Sequence, residues 1–172
     1  TSGMDPRLNQ SGPTLIILAE FKAPVYDTGG LTLATSSIRR FPPHMLNQNI
    51  HSCNLLQSIM AKVEATAKGA DDALMLDEHG HLAETNATHV FVVTDGVVET
   101  SDTSACPEGI TRSVVLELCD HEGIAHGVRN ITLEEVHSAD EIFCTGTMGE
   151  LAAVTTVDGH VIGDGAVGPV TS

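Results

Sequence analysis

At 172 residues the chain can bury roughly 70% of its unfolded surface in one core, and it is too short for two ordinary domains. Its 23 acidic against 8 basic residues give a formal net charge of −15, which argues against nucleic acid as a partner, because that affinity comes from clustered Lys and Arg. No apolar run approaches the roughly 20 residues that span a bilayer. Cys53, Cys106, Cys119 and Cys144 are scattered, with no CxxC pair and no leading signal peptide, a pattern of reduced thiols in a cytoplasm.

In chain order, residues 1–12 are polar and broken by Gly and Pro, which predicts a linker. PTLIILAE (13–20) and LTLATSS (31–37) are short apolar or alternating runs between turn residues, as strands require. From about residue 50 to 67, Leu55, Leu56, Ile59, Met60, Val63 and Ala67 recur at helical spacing and predict one apolar stripe, with Gly69 as the stop. Short strands are expected at 73–76, 81–84, 89–93 and 97–99, joined tightly enough at Glu78-His79-Gly80 and Asp95-Gly96 for antiparallel hairpins. A second helix is predicted from about Thr111, carrying Val114, Val115, Leu118 and Cys119 on one face. Strands at 126–131, 141–145 and 152–157 flank a shorter helix near 133–137, and the Gly-rich GHVIGDGAVGP run reads as a pair of turns. Periodicity alone supports a mixed class, α/β or α+β.

Four segments carry chemistry by their identity. NIHSCNLLQSIMAKVEA, from Asn49, places His51 ahead of Ser52, Asn54 and Leu56 and an Ala61-Lys62…Glu64-Ala65 helix. LDEHGHLAETNATHVFVV (76–93) places Glu84 at a strand end; taken alone, Glu84 is an ordinary surface glutamate. PEGITRSVVLEL (107–118) enters a helix through Gly109, Ile110 and Thr111. Free N–H groups at such a start suit a phosphate, although Gly before a Thr is also plain capping. ADEIFCTGTMGELAAVTTVDGHVIGDGAVGPVT (139–171) carries Gly146, Thr147 and Met148. His79, His81, Cys119, His121 and His126 are close in sequence, but lack the spacing of a zinc site, and no metal is expected.

In this order the segments resemble the class IV, fold-type IV pyridoxal-phosphate aminotransferases, which include branched-chain aminotransferases, D-amino-acid aminotransferase and aminodeoxychorismate lyase. The family patterns K-S-x-N-x-L, LDxxGxVxEgtxxNxF, GITR and ADExFxTGTxxExxPVxxxDGxxIGxGxxGPxT match over most of residues 13–171. The resemblance implies a D-amino-acid-aminotransferase-like large domain over 13–172, a twisted barrel-like sheet with helices outside, with residues 1–12 as the interdomain linker and the small N-terminal domain absent. It implies pyridoxal 5′-phosphate as cofactor, amino acids and 2-oxo acids as substrates, branched-chain amino acids among them, and a cytoplasmic homodimer. Glu84 would face the pyridine nitrogen; Gly109, Ile110, Thr111, Gly146 and Thr147 would hold the cofactor, and Met148 would lie on the substrate side. Two positions depart from the pattern. His89 stands where the family has Asn, which questions the support of Glu84, and His51 stands where the family has the lysine that carries the cofactor aldehyde. Lys22, Lys62 and Lys68 are not placed to replace that lysine. The expectation is therefore an aminotransferase fold that binds its cofactor non-covalently and is inactive as it stands; the alternative is a non-catalytic binding or dimerisation module.

Overall fold

The computed structural model describes residues 4–8, 12–21, 23, 25–26 and 29–172. Its elements are β1 (Leu31–Thr35), α1 (Pro43–Leu46), α2 (Leu56–Ala67), β2 (Asp72–Leu76), β3 (Leu82–Thr85), β4 (His89–Thr94), β5 (Val97–Thr100), α3 (Ile110–Glu122), β6 (His126–Val128), α4 (Leu133–His137), β7 (Glu141–Gly146), β8 (Glu150–Val157) and β9 (His160–Val161). Among the described residues the strands form one nine-stranded mixed sheet in the order β3-β2-β1-β8-β7-β4-β5-β6, with β9 added to β8. β1 runs parallel to both β2 and β8, while β2–β3, β4–β5, β4–β7 and β7–β8 are antiparallel.

The connection between β3 and β4 dictates the shape. These strands are first and sixth in the sheet order, yet only Asn86, Ala87 and Thr88 separate them in the chain, and Thr85 N donates to Thr88 O across that turn at 2.8 Å. Three residues span at most about 10 Å, so the sheet curls until the two strands meet. The expected barrel-like sheet with helices outside results, curled into a half-barrel with few helices.

Strand pleating sorts the core. Val90 and Val92 of β4, with Ile142 and Cys144 of β7, join the large interior cluster around Leu33, Leu74, Val154 and Val157. The alternate residues Phe91, Val93 and Phe143 pack outward against Val115 and Cys119 of α3. Phe91 and Phe143 are cross-strand partners, with ring centroids 5.0 Å apart. Both faces of these strands are therefore buried, which explains their continuous apolar runs. At the chain's end, the buried Glu141 carboxylate accepts from Val170 N, Thr171 N and Thr171 Oγ1 and fastens the last loop to β7.

Several expectations are corrected. Residues 13–20 form no strand; Leu15, Ile16 and Ile17 are more than four-fifths exposed, and among the described residues no strand pairs with this segment. The first long helix starts at Leu56 rather than near residue 50, because His51 turns left-handed after a 3-10 turn at Gln48–Ile50. Its buried face is Gln57, Ser58, Ala61 and Ala65, while the anticipated stripe faces solvent. Small side chains win that face because α2 lies directly on Ala34, Ala73 and Met75, where a larger residue would hold the helix off the sheet. In α3, Val115 and Cys119 are buried as expected, but Val114 and Leu118 are about half exposed. The strand expected at 126–131 shortens to β6 at the sheet edge.

Ala61 is fully buried, so Ala61→Leu overpacks the α2 contact and costs about 1–3 kcal/mol, measured as a lower urea midpoint at unchanged denaturant slope.

Candidate functional site

A cavity of about 750 Å³ opens beside the β3–β4 closure. Its walls include His51, Glu84, Gly109, Ile110, Thr111, Gly146 and Thr147, so four segments separated by at least 25 residues bring their singled-out residues to one place. Met148 does not join them: it is exposed, and its carbonyl accepts from Val25 N at 3.2 Å.

Glu84 closes the floor. As a β3 residue paired with Met75 it is 4% exposed, which excludes the surface-glutamate reading. Its Oε1 lies 2.9 Å from Nη2 of Arg40, itself buried. Burial pushes the Glu84 carboxyl up to about 7, with the Arg40 charge opposing it. The guanidinium also donates to Ser58 Oγ on α2 and to the Thr85 carbonyl, each at 2.9 Å, so one side chain joins the loop after β1, a helix and the end of β3. Sequence reasoning missed Arg40; the available signal was an Arg39-Arg40 pair before Pro42-Pro43 in a chain with only 8 basic residues.

His89 does not undermine Glu84, which Arg40 holds. Its Nε2 lies 2.7 Å from the Pro107 carbonyl; a carbonyl only accepts, so Nε2 carries the proton. Burial first, with the Arg112 and Arg40 charges, lowers its pKa against the Pro107 bond. The ring also fills the space beside Gly109, where any Cβ would overlap it, and Gly109 has φ 70°. Gly109 caps α3 with no side-chain hydrogen bond, so the first N–H groups of the helix have no capping side chain and the positive end of its dipole faces the cavity wall.

Across the cavity, β7 ends at Gly146, which a Cβ would drive into Thr88. Thr145, the cross-strand partner of His89, lines the cavity with a buried Oγ1 that has no hydrogen-bond partner. Tyr26 packs its ring on Gly149 and bonds Asp72 at 2.5 Å, bracing the 146–149 turn from outside.

At the rim, His51 holds φ 51° and ψ 46° at the end of the Gln48–Ile50 turn, with its N–H on the Gln48 carbonyl at 2.9 Å. This left-handed conformation is uncommon for a non-glycine residue. Lys62 also borders the cavity, but its Nζ is held by Asp72 Oδ1 at 2.7 Å and by the Asp71 carbonyl. The Lys68 amine binds Glu64 and the Thr35 carbonyl, each at 2.9 Å. Lys22 lies outside the described residues. Among the described residues, no three His, Cys, Asp or Glu side chains gather as metal ligands would, and no helix is long and apolar enough to cross a membrane.

Glu84 and His89 oppose each other in the pH dependence of stability. The raised Glu84 value gives stability that is complete below its ordinary 4.5 and is lost as pH rises through about 7. The depressed His89 value gives stability that is present above 6.5 and is lost as pH falls through the folded-state value. Urea midpoints from about pH 5 to 7 should therefore fall with rising pH in His89→Gln and rise with pH in Glu84→Gln; equal slopes in the two variants would remove this account.

The family profile described as Amino-transferase class IV matches residues 1–157. The Branched-chain-amino-acid aminotransferase-like protein 1 of Arabidopsis thaliana is 51% identical over 172 residues, 99% of this chain and 31% of that protein. The branched-chain-amino-acid aminotransferase of Pseudomonas aeruginosa is 39% identical over 146 residues, 83% of this chain and 47% of that protein. Among solved structures, the branched-chain amino acid aminotransferase from Thermobaculum terrenum in its PLP form superposes with a TM-score of 0.80 at 34% identity, covering 83% of this chain and 47% of that one. The chain thus spans about a third to a half of the length of these relatives.

Proposed function

The chain belongs to the class IV aminotransferases, and from that premise we propose that residues 13–172 are the large, cofactor-holding domain of a branched-chain-type member, with 1–12 as linker, in which pyridoxal 5′-phosphate is held without a covalent anchor. The observation that carries this reading is the convergence of Glu84, the Gly109–Thr111 helix start and Gly146–Thr147 on one cavity whose rim residue is His51. The setting we propose is a cytoplasmic homodimer handling amino acids and 2-oxo acids.

The residues present fit the cofactor. The uncapped start of α3 and the Thr147 hydroxyl suit its phosphate, and the unpartnered Thr145 hydroxyl offers one more polar contact. Glu84 suits a protonated ring nitrogen: a cation in place of open cavity favours the carboxylate that burial otherwise disfavours. When bound, the cofactor supplies a ring that withdraws electrons from the substrate's α-carbon. Around it, Arg40 fixes the Glu84 carboxylate, His89 fixes the Pro107–Gly109 turn, and Tyr26 braces the turn that carries Thr147. The imidazole of His51 does not form the lasting link to an aldehyde that a lysine amine does. Binding without turnover follows, and branched-chain transamination by this chain as it stands is not expected.

Borohydride reduction of the full-length protein loaded with pyridoxal phosphate, followed by peptide mass mapping, separates the possibilities. The native chain should carry no reduced adduct and His51→Lys should carry one at position 51. An adduct at Lys62 in the native chain would overturn the missing anchor, and a His51→Lys protein that binds the cofactor without an adduct would overturn the assignment of position 51. A second measurement addresses the phosphate contact. Loss of one hydrogen bond to a charged group is worth about 1.5–3 kcal/mol, so Thr147→Ala should weaken pyridoxal phosphate binding roughly ten- to a hundredfold, while binding of pyridoxal without its phosphate stays unchanged.

A further inference from the structure

The buried carboxylate of Asp72 sets the direction of the Lys62 amine. Of the two lysines among the described residues, Lys62 and Lys68, Lys62 borders the cavity that His51 and Glu84 line, and Lys68 does not. Lys62 also borders a second hollow of about 500 Å³, walled by Tyr26, Gly30, Asp71 and Asp72, with Asn86 and Ala87 common to both spaces. Its Nζ is bound by Asp72 Oδ1 at 2.7 Å and by the Asp71 carbonyl, and both of those residues line the second hollow and not the first. The side chain thus stands between two spaces with its amine drawn to the second.

Asp72 is suited to this hold. Its side chain is 4% exposed and that of Lys62 is 45% exposed, so the carboxylate is the fixed partner and the amine the one with room to move. Both carboxylate oxygens are occupied, Oδ1 by Lys62 and Oδ2 by the Tyr26 hydroxyl at 2.5 Å. A buried carboxylate depends on its cation, since removing one member of such a pair strands the other charge. An ammonium held in that pair has no lone pair to offer a carbonyl compound. Without the charge at position 72, Nζ keeps only the neutral Asp71 carbonyl, which a water molecule can replace.

We propose that Asp72 is a positioning residue that withholds the Lys62 amine from the cavity, and that a neutral side chain at position 72 releases this amine to bond an aldehyde there. This rests on the reading above in which pyridoxal phosphate enters that cavity without a covalent anchor. Once released, the deprotonated nitrogen of Lys62 bonds the aldehyde carbon and the carbonyl oxygen leaves as water. Borohydride then delivers a hydride to that carbon while the nitrogen takes a proton from water, which leaves a stable secondary amine.

The test uses the full-length protein and two measurements, with Lys68 as internal control. Trace acetylation with acetic anhydride, read by peptide mass mapping, reports the freedom of the amine without any cofactor. Asp72→Asn should raise the rate at Lys62 roughly tenfold or more and leave Lys68 unchanged. Tyr26→Phe removes the other bond to the same carboxylate but keeps its charge, so Lys62 should stay as slow as in the native chain. An equal rise in both variants means general loosening and overturns the proposal. Borohydride reduction with pyridoxal phosphate then reports reach: Asp72→Asn should carry an adduct at Lys62 that the native chain lacks. Faster acetylation without that adduct shows that the freed amine does not enter the cavity and overturns the proposal, as does an unchanged acetylation rate. If neither protein binds pyridoxal phosphate in a fluorescence titration, the cofactor reading falls and takes the released anchor with it, while acetylation still decides whether Asp72 holds the amine. Circular dichroism checks the fold of each variant, and Asp72→Ser, neutral and smaller, replaces Asp72→Asn where the amide does not fit.

Discussion

The buried pair of Arg40 and Glu84 is the constraint on which the site depends. Two charges taken out of water in the floor of a cavity cost several kcal/mol each, recovered only through good geometry and further hydrogen bonds. The guanidinium meets this condition by reaching Ser58 and the Thr85 carbonyl as well as Glu84. Those three partners belong to α2 and β3, and Arg40 itself to the loop after β1, so the pair also fixes the relative positions of all three. It does so where β3 and β4 meet to curl the sheet, and one interaction thereby holds the closure of the barrel and the floor of the cavity. The balance is not complete, because Arg40 Nε stays buried without a partner and Glu84 is still raised toward neutrality. A cationic group in the cavity would complete it.

Legibility in the sequence followed the kind of information each feature needs. Motif identity singled out Glu84, Gly109–Thr111 and Thr147, which the fold brings to one cavity. Arg40 was not legible in the same way: its meaning depends on Ser58, Thr85 and Glu84, which are 18 to 45 residues distant. The strands at 89–93 and 141–145 were legible because two buried faces give continuous β-branched and aromatic runs. The face of α2 was misread because hydrophobic periodicity reports which side is apolar and cannot report whether the same chain covers it. Met148 follows Thr147 in a turn that aims successive side chains differently, and spacing does not reveal that Thr147 lines the cavity while Met148 stays off its wall. The 13–20 run shows that β-prone residues alone do not make a strand, because a ladder needs a second edge.

His89 and Gly109 form a matched pair across the cavity wall. The ring occupies the space that a Cβ at 109 would need, and its Nε2–H holds the Pro107 carbonyl two residues earlier. A departure from the family's Asn is thus absorbed by a neutral imidazole that donates one hydrogen bond from a buried position. The cradle keeps its form although one of its supports has changed chemistry.

The left-handed turn at His51 bears on how such a chain changes over time. Residue 51 lies outside every helix and strand and is exposed, and its backbone is set by Gln48 and the turn before it rather than by its own side chain. The side chain can therefore be exchanged while the floor, the helix start and the β7–β8 turn keep their places. Position 51 is one the architecture does not lean on, so a single codon there can change the side chain at the cavity rim without changing the shape.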